Sequence, residues 1–195
     1  MKFFRVGTLL VMVLSLLSPV AAQNALWSKT KAKMTGATGY SMNYDYDGDE
    51  GAYKFAYAVQ GDGAKILTEV LEGSARGAGS RILYDPATDK ENVSMKTSML
   101  TLRRSLGSKD IKDSSLYQPL FRQLVESLVE PNPRETVKAG DHVVLVFGAK
   151  MGSQDRIEVD ASGNPISYRH LEKGRELKKM TFRNLKWGNP EITWP

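Results

Sequence analysis

The sequence has no cysteine and only two histidines, His142 and His170. Without thiols there is no disulfide framework, no thiolate nucleophile and no cysteine-ligated zinc or iron–sulfur centre. The two histidines fall on separate segments, far from the close spacing of a helical zinc motif. No Gly-x-Ser-x-Gly elbow occurs. The glycine-rich run GSARGAGS, Gly73 to Ser80, lacks the Lys-Ser/Thr ending of a phosphate loop and precedes a strand-like pattern. It reads as a flexible hairpin loop. Acidic residues are numerous, but no spacing singles out two of them as a glycosidase pair. The expectation is a protein that is not an enzyme, with no catalytic residues, no metal site and no cofactor.

Long apolar runs are also missing, with one exception at the start. Lys2 and Arg5 precede an apolar stretch from Val6 to Leu17, and SPVAAQ follows, with Val20 and Ala22 fitting the small-residue rule of signal peptidase. Residues 1–22 therefore read as a cleaved secretory leader, too short to span a bilayer comfortably. Residues 23–195 read as one domain. Export usually brings disulfides; lacking them, the chain must rely on an apolar core, which this length can supply. With no cysteine to accept a lipid anchor, the expected mature form is soluble.

Charge of one sign is not extreme. The formal +5 falls to +3 once Lys2 and Arg5 are removed, which gives no electrostatic case for a nucleic-acid partner. The excess is uneven, however: Arg169, Lys173, Arg175, Lys178, Lys179, Arg183 and Lys186 stand against Glu172 and Glu176. Such a stretch is either a solvated strand face or a surface for an anionic membrane or acidic protein.

What is abundant is period-two patterning. In NALWSKTKAKM, Leu26, Trp27, Thr30 and Met34 share one side of a short amphipathic helix. From there Tyr40, Met42, Tyr44 and Tyr46 alternate with polar residues, and Tyr53, Phe55, Tyr57 and Val59 repeat the pattern after DGDEG. This is a β-hairpin with an aromatic face. An EF-hand register beginning at Asn43 places oxygens at Asn43, Asp45 and Asp47 and a glycine at Gly48, but Lys54 stands where the closing glutamate belongs. The acids read as a solvated turn.

Further strands are expected at Lys65–Glu72, Arg81–Asp85 and Asn92–Thr97, and in DHVVLVFGA, DRIEVDA, PISYRHLE and ELKKMTFRNLKW, about nine in all. One central helix is expected in LYQPLFRQLVESLVE, with Asp113, Ser114 or Ser115 as cap, Pro119 in its first turn and the PNP run after it as a stop. The segment SMLTLRRSLGSKDIKD mixes both periods. The fold class is mainly β (α+β): one curved antiparallel sheet with two helices packed against it. The candidate lining of any pocket between them is Tyr40, Met42, Tyr44, Tyr53, Phe55, Tyr57, Leu120, Phe121 and Leu124. Tyr40, Met42, Tyr44, Tyr53, Phe55 and Tyr57 are each equally well read as core packed under the helices.

RIEVDASGNPISYRHLEKGRELKKMTFRNLKWGNPEITW resembles the end of the bacterial outer-membrane lipoprotein carrier family, the LolA/LolB type. The resemblance rests on the turn at Asp160, Gly163, Asn164 and Pro165 and on Phe182, Asn184 and Leu185 in the last strand. The order of elements agrees along most of residues 23–195. The resemblance implies an unclosed β-barrel with an N-terminal and a central helix on its concave side and a hydrophobic cavity between them. It also implies a monomeric periplasmic carrier of acylated lipoproteins or lipids, with an inner-membrane ABC transporter and an outer-membrane receptor as partners and no cofactor. The family also includes a stress-sensing regulator, so a sensory or interaction protein acting on a membrane partner is the alternative. The arginine that the family's periplasmic carrier typically has near its cavity has no counterpart in AVQGDGAKILTEV, which offers only Lys65.

Overall fold

The computed structural model describes residues 19–49, 51–73, 77–97, 100–109, 111 and 115–194; most of the leader-like segment, and Asp113 and Ser114, lie outside them. The described residues begin with α1 (Pro19–Gly36) and run through β1 (Tyr40–Gly48), β2 (Gly51–Gln60), β3 (Lys65–Glu72), β4 (Arg81–Tyr84), β5 (Asn92–Lys96) and β6 (Thr101–Ser105). After α2 (Leu120–Glu126) come β7 (Glu135–Ala139), β8 (His142–Gly148), β9 (Ser153–Val159), β10 (Pro165–Glu172) and β11 (Arg175–Trp187). All eleven strands form one antiparallel sheet in the order β6-β5-β4-β3-β2-β1-β11-β10-β9-β8-β7. Two meanders are thus joined where the last strand pairs with the first. Strands β6 and β7 remain as edges, so the curved antiparallel sheet that the sequence pattern predicts is an unclosed half-barrel, as the family resemblance implies.

Two strands exceed the nine expected, and both are edges. Every residue of β6 is exposed, and β7 is nearly so. An edge strand lying outside the core buries neither face, so it carries no period-two apolar signal for a sequence reading to find. The central helix is also shorter than LYQPLFRQLVESLVE implies. Pro119 occupies the N-cap with φ −55° and ψ 122°, and its own side chain makes no capping hydrogen bond. Proline disfavours helical geometry in the residue before it, which leaves Leu116 outside the helix and in a separate core with Ile82, Val93 and Ile111. At the other end the Val129 N–H is taken by Asp155 Oδ2 at 2.8 Å, so the backbone leaves the helical path before the PNP run is reached.

The curvature has a local cause in β11. Met180 and Phe182 face the core, yet Leu185 and Trp187 do too, which a regular strand forbids. Between them Asn184 adopts φ 55°, and the pairing with β1 slips from Asn43↔Arg183 to Ser41↔Lys186. One extra residue is absorbed as a bulge, which reverses the alternation and sharpens the twist. Asparagine suits the place because it tolerates the left-handed region better than most side chains.

The main core lies on the concave side. Trp27 and Met34 of α1, with Leu120, Phe121 and Leu124 of α2, pack on Tyr40, Met42, Tyr57, Leu145, Phe147, Ile157 and Phe182 of the sheet. The inward stripe of α1 is the one that its spacing predicts: Trp27, Thr30 and Met34 are buried while Lys29 and Lys31 face solvent. A cut after Ala22 would leave all three on the helix.

The turn between β9 and β10 ties α1 down. Lys33 Nζ donates to Ser162 O at 2.9 Å and Asn164 Oδ1 at 2.7 Å, and Asn164 in turn donates its backbone and side-chain N–H to Asp160. Burial opposes ionisation of Asp160, but these bonds and the Lys33 charge together hold its carboxyl below the ordinary value. A depressed folded pKa contributes stability that is present above the unfolded pKa and lost as pH falls through the folded one. Asp160→Asn is therefore expected to be less stable than wild type at neutral pH and to converge with it below about pH 4, which flattens the acid limb of the stability–pH profile. Chemical denaturation between about pH 2 and 7 checks this, and parallel profiles for the two proteins would refute it.

Candidate functional site

The β1–β2 hairpin carries an aromatic ladder from the buried centre of the half-barrel to its open end. Register fixes it: Tyr44 lies opposite Phe55 and Tyr46 opposite Tyr53, all pointing to the concave side. Tyr44 stacks on Phe55 with centroids 4.8 Å apart, and Tyr53 stacks on Phe55 at 5.8 Å. At the inner end Tyr40 stacks on Phe121 at 4.8 Å, and Phe121 also meets Phe182 and Trp187. Tyr40, Met42, Tyr44 and Tyr57 are buried, whereas Tyr46, Tyr53 and Phe55 are only half-buried. The nine candidate lining residues thus fall on one continuous surface. In this state Leu120, Phe121 and Leu124 fill its inner end, so that end is packed core.

The helix that fills it is held by phenols. Tyr57 Oη accepts the Leu120 N–H at 3.1 Å and has the carbonyls of Ser115 and Gln118 at 3.0 and 3.2 Å. Tyr40 Oη accepts the Phe121 N–H at 3.2 Å. These bonds satisfy first-turn amides that a proline-capped helix would leave open. Burial pushes both phenols well above the ordinary tyrosine range, so each is a neutral hydroxyl at any physiological pH. The β2–β3 turn adds an ion pair between Arg122 and Asp62. Lys65 is occupied elsewhere, 3.1 Å from Asp85.

Sequence reasoning passed over a second cluster behind the far end of α2. Asp155 is fully buried; its Oδ1 accepts from Tyr168 Oη at 2.9 Å and lies 2.8 Å from His170 Nδ1, while Oδ2 takes the Val129 N–H. An ionised carboxylate only accepts, so Nδ1 of His170 carries the proton. His170 Nε2 lies 3.3 Å from Glu172. Burial, followed by the Asp155 charge, pushes the Tyr168 phenol far up. The signal was present: in DRIEVDA the alternation that buries Ile157 and Val159 also turns Asp155 inward, and an inward acid needs partners. Trp27 Nε1 donates to Pro131 O at 3.0 Å, so α1 grips the same segment. Among the described residues no group of three or more His, Cys, Asp or Glu is placed to hold a metal ion.

On the convex face near the hairpin tip, a depression of about 330 Å³ is lined by Asp45, Lys54, Glu72, Lys179 and Arg183, among others. Its charges are largely satisfied within it, through Arg183–Asp45 and Lys54–Glu72, each at 2.6 Å. The apolar concave face is the better candidate for a ligand.

No protein-family profile matches the sequence, and a search of curated proteins finds no match. Similarity appears at the level of structure. An uncharacterized conserved protein from Thermus thermophilus superposes with a TM-score of 0.54 at 10% identity, over 87% of this chain and 90% of that one. The Mycobacterium tuberculosis lipoprotein LppX gives 0.52 at 14% identity, over 88% and 97%. MucB gives 0.52 at 12% identity, over 88% of this chain and 61% of MucB. Identities this low show the fold alone. What is shared is the arrangement of one unclosed antiparallel sheet with helices packed against it.

Proposed function

We propose that this protein is a non-enzymatic periplasmic carrier that shelters the acyl chains of a lipid or lipoprotein on its concave aromatic face. The reading rests on the ladder of Tyr44, Phe55, Tyr53 and Tyr46, which runs from half-exposed at the open end into the fully buried centre. An acyl chain entering at Phe55 meets aromatic surface along its path, and each methylene it buries is worth about 0.8 kcal/mol. Room for the chain is made by displacing α2. α2 is seven residues long, and its first two amides are held by two tyrosine hydroxyls, so loss of those bonds would free its start. Leader-like residues 1–22 support an exported location. Among the described residues no helix is long and apolar enough to cross a membrane.

The test is native mass spectrometry with lipid extraction on the purified protein, followed by titration with a fluorescent fatty acid. Phe55→Asp is expected to weaken binding at least tenfold while leaving the circular dichroism unchanged. Tyr57→Phe removes the anchor of Leu120 and is expected to speed uptake. A protein that carries no acyl species and takes up none, with either variant behaving as wild type, would sink the carrier reading. The regulator-type interaction protein would then take its place.

A further inference from the structure

Two hairpin turns at the open end of the half-barrel are locked side by side. The β10–β11 turn donates the Lys173 N–H to Gly152 O of the β8–β9 turn at 2.9 Å, and Glu172 lies in register with Ser153. The pair presents Lys150, Lys173 and Arg175, all exposed, around Met151, whose surface is 83% exposed. None of the three cations forms an ion pair with another described residue. The nearby acids are engaged elsewhere: Glu172 faces His170, Glu176 lies 3.6 Å from Arg169, and Glu130, which takes a backbone hydrogen bond from Gly148, pairs with Arg134. Half-exposed Val129 sits beside this rim, close enough to Gly148 that a Cβ there would lie 2.6 Å from its Cγ2. Gly148, at φ 78°, suits a backbone that few other residues adopt.

A largely exposed methionine ringed by unpaired cations on a backbone-braced tip has the makeup of a bilayer contact. The thioether enters the interface, and the cations meet lipid phosphates. The rim is also polarised. Across the sheet, Gly48 is opposite Lys178, so the acidic β1–β2 tip with Asp47 and Asp49 lies at the same end. An anionic surface repels that tip and attracts the other, which fixes one orientation. We propose that the paired β8–β9 and β10–β11 turns form a docking surface for an anionic phospholipid bilayer. Lys150, Lys173 and Arg175 supply the electrostatics and Met151 the insertion. This goes beyond the carrier reading, because it assigns a membrane contact to residues outside the aromatic face, and it holds whatever the cargo is.

The experiment is co-sedimentation of the protein with vesicles of phosphatidylcholine alone and of phosphatidylcholine mixed with phosphatidylglycerol, at low salt and at about 0.5 M salt. Wild type is expected to bind only the anionic vesicles and to be released by salt. The triple variant Lys150→Gln, Lys173→Asn, Arg175→Gln is expected to lose roughly a hundredfold in vesicle partitioning. Met151→Ser, which leaves all three cations in place, should also weaken binding. Fatty-acid binding measured on the same variants should stay at the wild-type level, which separates failure of the docking surface from failure of the carrier reading. Equal binding to neutral vesicles, or a triple variant that sediments like wild type, overturns the proposal. So does absence of vesicle binding together with charge-dependent capture of an acidic protein, which would assign the same surface to a protein partner.

Discussion

Phe121→Ala is expected to lower the stability of the protein by about 3–5 kcal/mol, the range for removing a fully buried aromatic side chain. Phe121 has no exposed surface and stands at the meeting point of three rings, stacked on Tyr40 and set against Phe182 and Trp187. It is also the residue by which α2 occupies the concave face, so its removal leaves a void that the rigid sheet cannot close. For a chain of this size the loss corresponds to a fall in melting temperature on the order of 10 °C. The same void is apolar and continuous with the aromatic ladder. A carrier should therefore recover part of the loss when a fatty acid is added, because a ligand that binds only the folded state raises its stability. Thermal unfolding with and without fatty acid reads both effects. A loss below about 1 kcal/mol would mean that α2 is not seated as described. A full loss with no recovery would count against an acyl site at this position.

Asp155→Ala should cost a similar amount for a different reason. It deletes the one acceptor shared by Tyr168 Oη, His170 Nδ1 and the Val129 N–H, and it leaves three polar groups facing a cavity. Removing one partner from a buried charged network costs on the order of 3–5 kcal/mol, chiefly through the groups left behind. Asp155→Asn keeps the shape but places a donor among donors, and it should fall between wild type and alanine. Urea unfolding measures the energies, and hydrogen exchange localises them: the Val129 amide should lose protection first, since the carboxylate that accepts it is gone. Unchanged protection at Val129 in the alanine variant would show that the segment after α2 is held by Trp27 and Pro131 alone.

The two variants probe opposite ends of one short element, and that element was only half legible beforehand. Leu120, Phe121 and Leu124 announce a buried helical face by their spacing, and burial is where the structure puts them. The spacing also continues through Leu128 and Val129, and there the helix has ended. Periodicity reports what a segment would do alone, whereas Val129 responds to a carboxylate 26 residues away in sequence. The hairpin is the contrary case. Its two faces, its turn and its aromatic side follow from alternation, because a pleated strand sends neighbouring side chains to opposite faces whatever lies beyond it. The tyrosine hydroxyls that hold α2 could not be foreseen, since nothing local distinguishes Tyr57, which bonds the helix, from Tyr53, which lines the open end.

The sequence by itself determined the class of the fold: period-two runs, their turn residues and two apolar helical stripes admit little but a curved antiparallel sheet with helices on one side. The resemblance carried by its Asp160–Pro165 turn and Phe182–Leu185 run implied that this sheet is an unclosed half-barrel. The tertiary structure alone decided how far the sheet extends, because the edge strands β6 and β7 bury almost nothing and leave no pattern. It also decided which inward residues are packed and which stand half-open, and which exposed turns come together at the rim. Those are properties of contacts between segments distant in the chain. Local spacing carries information about one strand or helix and its two faces, and none about what those faces meet.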